Sequence, residues 1–286
     1  TACGKTRLAC QLAHQFNGEI ISADSRQVYK KLNIGTGKDL LEYRIGKKDI
    51  PYHLIDVCEP LKQFYLHDFI SGVRNSFEDI RRRKKIPIIC GGTGLYLDTL
   101  RKNFSLTQFG NNEVLRDELE NQTREELLIR LRKFPEKYIT HVDFNSKKRI
   151  IRAIEILDQK KLKAIIIEEE LPYKPFYIGI KTSLQERRKN ISLRLKHRID
   201  NGLTDEVKDL LNLGITHERL QFLGLEYRFV SLYLQNMLNQ KNFFTKLETA
   251  IHRYAKRQMT WFRKMEKEGV KINWVSEVNE ATKLVS

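Results

Sequence analysis

Gly4-Lys5-Thr6, with Leu8, Leu12 and Phe16 following at helical spacing, narrows the fold more than any other feature of this chain. The tripeptide ends the pattern G-x-x-x-x-G-K-[ST], a turn whose backbone amides wrap phosphate oxygens. A helix that opens at Thr6 aims its N-terminal amides at the same place, so loop and helix form one anion site. The first glycine of the pattern falls two residues before Thr1, and that glycine and the strand feeding the loop are expected upstream. The motif serves kinases, hydrolases and transferases alike; it reports diphosphate binding and leaves the reaction open.

Gly18 stops the helix, and "EIISADSRQVY" sets a short β-rich run at Ile20 and Ile21 that ends in polar residues, as a buried parallel strand does at its carboxyl edge. Phe69, Val73, Phe77 and Ile80 then mark a helix, "IPIIC" a strand, and "GGTGLYLDTL" a Gly-rich turn entering another helix. With the upstream strand, three strand-to-loop transitions predict an α/β fold: a parallel sheet of the P-loop NTPase kind, flanked by helices, with its ligand-binding loops gathered on one edge. "AIII" (164–167) also reads as a strand.

From Phe104 to about Val142 short charged helical pieces replace this alternation, which predicts a small helical insertion domain at 104–142 between core segments 1–103 and 143–286. Asn145 is expected to cap the next helix, where Ile150, Ile151, Ile154 and Leu157 make an apolar face and Lys148, Arg149 and Arg152 a basic face open to a ligand. "FYIGIKTS" reads as a return strand to the main sheet, followed by a helix with Ile191, Leu195 and Ile199 inward. Thr204 is expected to cap a helix stopped near Gly214, a last long helix runs from Phe243 to Met265, and "VKINWV" adds an edge strand.

Lys and Arg outnumber Asp and Glu by 52 to 36, a formal charge of +16, which favours a polyanionic partner or an anionic substrate without naming either. The excess gathers in runs such as "RRRKK" (81–85), read as a solvated helix face, and "RRKNISLRLKHR" (187–198). Cys3, Cys10, Cys58 and Cys90 form no C-x-x-C pair and match no zinc spacing, which suits reduced thiols in a cytosolic protein. No apolar run is long enough to cross a bilayer, so no membrane role is expected.

Around the loop, amides near Gly4 can donate to phosphate, Lys5 can reach its outer oxygens, and the Thr6 hydroxyl can hold magnesium. Asp24, at the strand's end, is either the cap of a turn or a carboxylate that binds magnesium through water or takes a proton from a nucleophile. Ser25, Arg26 and Gln27 beside it suit nucleobase edges or phosphates. The glycines of "GGTGLY" serve a tight turn or the site itself; Thr93, between glycines at the active edge, points to binding.

Six blocks in one order, "TACGKT", "ISADSRQVYKKLNIGTGKD", "CGGTGLYLDTL", "KKRIIRAIEIL", "RLKHRIDNGLTDEV" and "AKRQMTWFR", resemble the tRNA dimethylallyltransferases (tRNA isopentenyltransferases) of bacterial type over nearly the whole chain. The resemblance implies transfer of a dimethylallyl group from dimethylallyl diphosphate to the exocyclic amine of the adenosine just 3′ of the anticodon, with Mg2+ as cofactor. It makes Thr1, Ala2, Cys3, Gly4, Lys5 and Thr6 a pyrophosphate-binding loop with Thr6 toward the metal, and Arg194 the pyrophosphate arginine. Asp24 would take or polarise the amine proton, and Thr93 would help place the reacting groups. Asp24, Ser25, Arg26, Gln27, Arg116, Lys148, Arg149 and Arg152 match positions where family members meet the tRNA anticodon stem-loop.

Three positions depart from the family pattern: Cys3, where serine or alanine is commoner; Lys148, for a frequent glutamine; and Leu225, where tyrosine is usual. A cytoplasmic monomer is expected, since one tRNA can be gripped between core and insertion. The competing readings are an adenylate isopentenyltransferase acting on free adenine nucleotides, a small-molecule kinase sharing Gly4-Lys5-Thr6, and a basic RNA-binding module in which the phosphate loop stays idle.

Overall fold

The computed structural model describes residues 2–102, 113–140, 142–160 and 173–285. The chain divides into two compact units, Asn103–Pro172 and the rest. In the larger unit, helix α1 (Lys5–Gln15) begins directly after Gly4 and buries Leu8, Ala9, Cys10, Leu12 and Ala13. Strand β1 (Gly18–Ala23) follows at once and is buried along its whole length, as a strand covered on both faces must be. A polar loop leads to a 3-10 turn at Leu40–Tyr43, the small hairpin of β2 (Arg44–Ile45) and β3 (Lys48–Asp49), and the short β4 (Tyr52–His53).

Helix α2 (Leu66–Arg82) covers this sheet with Phe69, Val73 and Ile80, and Phe77 packs partly buried beside them. Strand β5 (Ile86–Gly91) and helix α3 (Gly94–Lys102) come next, and the Phe69 and Tyr96 rings stack at 3.8 Å to hold α2 against α3. The main sheet runs β4-β1-β5, all parallel, with Gly18 opposite Ile86 and Ala23 opposite Gly91. The expected strand-turn-helix order is therefore present, and the carboxyl ends of β1 and β5 stand side by side.

In the smaller unit, α4 (Glu113–Glu120), α5 (Arg124–Leu131) and α6 (Lys147–Lys160) enclose Leu119, Leu127, Leu131, Ile139, Ile150, Ile151, Ile154 and Leu157. This differs from the expected limits. The insertion does not close at 142, because the apolar face of α6 is needed to complete its core, and α6 was assigned to the segment 143–286. Asn145 does not cap α6: its amide binds Asp143, and the Ser146 carbonyl accepts the first helical hydrogen bonds from Arg149 and Ile150. The "AIII" run lies outside the described residues.

The larger unit resumes with β6 (Tyr177–Ile180), α7 (Leu184–Asp200), α8 (Leu203–Asn212), α9 (His217–Leu223) and α10 (Leu225–Leu234). It ends with the long α11 (Gln240–Lys267), β7 (Ile272–Val275) and α12 (Val278–Val285), a helix the sequence pattern did not announce. Ile191 and Leu195 of α7 join Leu203, Val207, Tyr227, Val230, Leu247 and Ile251 in the largest core cluster, with Ile199 against it. Thr204 is not a cap; Gly202, at φ 96°, takes that position, and Gly214, at φ 85°, follows the end of α8 as expected.

Strand β6 does not return to the main sheet among the described residues; it pairs in parallel with β7. An apolar cavity of about 500 Å³ lies between β5 and β6, lined by Ile88 and Cys90, by Ile178 and Ile180, and by Leu8 and Leu12 of α1.

The "RRRKK" run is also more than a solvated face. Arg83 (Nη2, 2.7 Å) and Lys85 (2.8 Å) bind Glu19, which is 2% exposed at the amino end of β1, and His53 meets the same carboxylate at 2.8 Å. Burial pushes the Glu19 carboxyl upward, but the hydrogen bonds from Arg83, Lys85 and His53 outweigh it and hold it at about 2. A folded-state value below the unfolded one adds stability that is complete above about pH 4.5 and is lost as pH falls toward 2. Glu19→Gln is expected to lower stability by about 2 kcal/mol at pH 7, with the gap closing as pH drops to 2. Thermal melts of both proteins across this range check it; a constant gap would refute the assignment.

Candidate active site

The N-terminus of α1 forms one wall of the candidate site. Ala2 (φ 54°) and Gly4 (φ 74°) both take left-handed backbone, the conformation of a tight turn directly before α1 starts. A cavity of about 640 Å³ opens there, lined by Ala2, Cys3, Gly4, Lys5 and Thr6 and, across from them, by Asp39, Glu42, Asn190 and Arg194. The expected grouping of loop and arginine is thus present, although 188 residues separate Thr6 from Arg194. Thr1 lies outside the described residues.

Burial would pull the Lys5 ammonium below its usual value, but the groups facing it, Cys3, Cys90 and Asp24 among them, hold it above. Its Nζ lies 3.8 Å from Cys3 Sγ. The four cysteines are free thiols, and burial drives Cys90 up to about 11. On the far wall Arg194 reaches Asp39 at 3.1 Å. Burial and Asp39 raise the Glu42 carboxyl, while Arg194, Arg7 and a hydrogen bond with the Thr6 side chain pull it back.

The second group of residues stands where β1 and β5 end. Asp24 follows β1, and its Oδ1 accepts the Arg26 amide at 2.8 Å. Thr93 follows β5; its own amide donates to Ala23 O at 3.3 Å, and its Oγ1 accepts the Ser25 amide at 3.1 Å. Asp24 and Thr93 are therefore neighbours through Ser25. The glycines of this turn serve close packing: a Cβ on Gly91 would sit 2.2 Å from Ala23 O, and one on Gly94 would sit 2.4 Å from Trp261 Cγ.

Helix α11 closes the group from behind. Gln258 Nε2 donates to Gly92 O at 2.7 Å, and the Tyr254 hydroxyl hydrogen-bonds the side chains of Thr93 and Gln258. Burial, together with the nearby Asp24 charge, raises the Tyr254 phenol to about 12, so it remains a neutral hydroxyl beside Thr93. Sequence reasoning did not single out Tyr254 or Gln258. Gln258 stood within the block "AKRQMTWFR" without being assigned a role, and Tyr254 lies one helical turn before it on the same basic helix.

The loop 25–39 is fixed by side chains that reasoning from sequence also missed. Glu206 accepts the amides of Asn33 (2.9 Å), Ile34 (2.7 Å) and Gly35 (3.1 Å) and the Tyr227 hydroxyl (2.7 Å). Lys38, 2% exposed, donates to Tyr29 O, Asn33 Oδ1 and Asp56 Oδ1. Arg198 donates to Gly35 O and Glu226; burial lowers its guanidinium and raises the Glu226 carboxyl against their mutual attraction. Arg194 and Arg198, four apart on α7, press on Gly37, where a Cβ would lie within 2.1 Å of both guanidiniums.

Of the residues expected to meet RNA, Asp24, Ser25, Arg26 and Gln27 are in the larger unit. Gln27 is committed locally: its Nε2 donates to Gly37 O at 3.0 Å and its Oε1 accepts Ser22 Oγ at 3.2 Å. Arg116, Lys148, Arg149 and Arg152 all belong to the smaller unit. The basic face of α6 is not wholly open there, because Arg149 pairs with Asp143 at 2.9 Å, and Arg152 (3.2 Å) and Arg116 (3.6 Å) share the fully buried Glu155. Lys148 is exposed.

Residues 27–265 match the family model described as IPP transferase. The chain is 45% identical over 277 residues to tRNA dimethylallyltransferase 1 of Parabacteroides distasonis, covering 96% of this chain and 89% of the relative. It is equally similar to tRNA dimethylallyltransferase 2 of Syntrophotalea carbinolica, covering 96% and 91%. Among solved structures, the tRNA isopentenylpyrophosphate transferase of Bacillus halodurans matches with a TM-score of 0.69 at 29% identity, covering all of this chain and 92% of that one. A eukaryotic dimethylallyltransferase acting on tRNA matches with a TM-score of 0.78 at 26% identity, over 98% of this chain and 73% of that one. With the phosphate loop, its facing arginine and the carboxylate at the strand end in one fold, the chain belongs to the tRNA dimethylallyltransferase (IPP transferase) family.

Proposed function

We propose that this enzyme transfers the dimethylallyl group of dimethylallyl diphosphate to the exocyclic amine of the adenosine 3′ of the tRNA anticodon, releasing pyrophosphate. The observation that carries this reading is the cavity lined by Gly4, Lys5, Thr6 and Arg194, with Asp24 close enough for its charge to act on Lys5. As the bond between the first prenyl carbon and the diphosphate oxygen breaks, negative charge grows on the leaving group. The α1 amides, Lys5 and Arg194 are arranged to offset it before the reaction begins. The adenine nitrogen forms the new bond to that carbon, and Asp24 accepts the proton the amine gives up.

An adenine amine is a weak nucleophile, so holding it within about 3.5 Å of the carbon is a large share of the catalysis. Thr93, oriented by Ser25 and Tyr254, is suited to that positioning. The target base must leave its stack to reach this edge. Ser25, Arg26, Gln27, Arg116, Lys148, Arg149 and Arg152 are proposed to meet the anticodon stem-loop. Gln27 acts by shaping its own loop, and Lys148 and Arg149 by their exposed charge.

Thr6 and the Glu42 carboxylate bonded to it are hard oxygen donors that fit Mg2+. Among the described residues no group of three or more His, Cys, Asp or Glu is gathered to bind a metal ion, so phosphate and water oxygens would complete the coordination. When bound, Mg2+ supplies positive charge that stabilises the departing pyrophosphate. No described helix is long and apolar enough to cross a membrane; with tRNA as the substrate, the proposed place of work is the cytoplasm and the proposed state a monomer.

Incubation with labelled dimethylallyl diphosphate, Mg2+ and either unmodified tRNA or AMP tests the acceptor: label is expected in tRNA, and label in AMP alone would refute it. Asp24→Ala is expected to lower kcat by about 100-fold or more with tRNA affinity little changed, as befits a group acting in the transition state. Arg194→Ala should raise the donor KM by roughly 10-fold, read from donor titrations at saturating tRNA. Arg149→Ala should weaken tRNA binding and reduce the slope of log affinity against log salt by about 1. Equal losses of kcat and affinity in the Asp24 and Arg149 variants would count against this division of labour.

A further inference from the structure

Phe222 lies on α9 with 47% of its surface exposed, three residues before Leu225, a position that departs from the family pattern. A single exposed phenylalanine is ordinary. This one is unusual because two cations meet its ring, the Arg26 guanidinium 5.6 Å and the Arg219 guanidinium 5.4 Å from the centroid. Arg219 is anchored: its Nε donates to Pro60 O at 2.7 Å, its Nη1 to Gln63 Oε1 at 3.2 Å and its Nη2 to Lys62 O. It also lies 5.7 Å from the Tyr29 ring. Among the described residues neither guanidinium forms an ion pair with a carboxylate; the Arg219 nitrogens are taken by two carbonyls and an amide oxygen.

Arg26 is two residues from Asp24 and donates its amide to that carboxylate, so one residue links the ring to the proposed proton acceptor: its amide meets Asp24 and its guanidinium meets Phe222. A half-exposed aromatic ring flanked by two guanidiniums, neither in an ion pair with a carboxylate, has the chemistry of a nucleic-acid stacking site. We propose that Phe222, with Arg26 and Arg219, is a platform on which an unpaired base of the tRNA anticodon loop, next to the target adenosine, stacks. Opening the loop to extrude the adenosine costs its neighbour a stacking partner, and the ring replaces it while the guanidiniums meet the adjoining phosphates. The proposal rests on the reading of the substrate as tRNA.

An anticodon stem-loop RNA carrying 2-aminopurine in place of the base 3′ to the target adenosine tests this with the wild-type enzyme, Phe222→Ala and Phe222→Trp. Phe222→Ala is expected to raise the RNA KM about 5- to 100-fold, the range one lost base–aromatic stack supplies. Its kcat and donor KM should stay within twofold, and Phe222→Trp should restore the RNA KM. Binding should quench 2-aminopurine with the wild-type and Trp proteins and not with Ala. An unchanged RNA KM and full quenching in Phe222→Ala would overturn the proposal, as would equal losses of kcat and thermal stability without a change in RNA affinity. Prenyl transfer by the wild type to the same RNA is scored separately. Its absence would defeat the functional reading, whereas the platform is decided by whether RNA binding and quenching depend on Phe222.

Discussion

Six consecutive residues of β1 pair in parallel with β5, from Gly18 opposite Ile86 to Ala23 opposite Gly91, and the residues proposed to carry the chemistry collect where that ladder stops. Parallel strands share a direction, so both chains leave the sheet on the same edge. Asp24 and Thr93 emerge there one residue beyond the ladder and two beyond it. The ladder continues into the loops through the bonds from Thr93 N to Ala23 O and from Ser25 N to Thr93 Oγ1. Gly91 lacks a Cβ that would strike Ala23 O, which lets the strands stay paired to the end. A slip of one residue would turn Thr93 away from Asp24.

The other half of the site is built by charge on a loop without regular structure. Residues 33–38 would be costly to order on their own, since their amides lack ladder or helix partners. Glu206 takes three of those amides, Lys38 folds back onto Tyr29, Asn33 and Asp56, and Arg198 holds Gly35 from outside. These groups give up much of their hydration, so the network contributes position more than net stability. Arg194 is thereby kept against Gly37 and Asp39 and facing the phosphate loop. The +16 charge of the chain thus divides into fixed internal cations and an exposed set suited to a polyanion.

The phosphate loop, the strands around Ile20 and Ile88, and the Phe69-Val73-Ile80 helix face were legible because each depends on spacing within one short segment. The limit of the smaller unit was not. Ile150, Ile151, Ile154 and Leu157 show that α6 buries a face, but periodicity does not say against what, and Leu119, Leu127 and Leu131 supply the answer. Arg149, Arg152 and Arg116 look alike as basic residues; their carboxylate partners Asp143 and Glu155 are known only from the fold. The same holds for "RRRKK", where two of five cations serve a buried glutamate 64 and 66 residues away.

Local order in the chain determined that a Gly-Lys-Thr turn opening a helix, a carboxylate at a strand end and a hydroxyl in a glycine turn exist, since turn geometry and helix phasing are properties of neighbouring residues. Only tertiary structure decided that Arg194 faces the turn, that Tyr254 stands behind Thr93, and that Arg26 and Arg219 meet at Phe222. Those meetings join residues from distant parts of the chain, and they come about through burial of shared apolar surface, which favours contact but does not record in the sequence which partners it brings together.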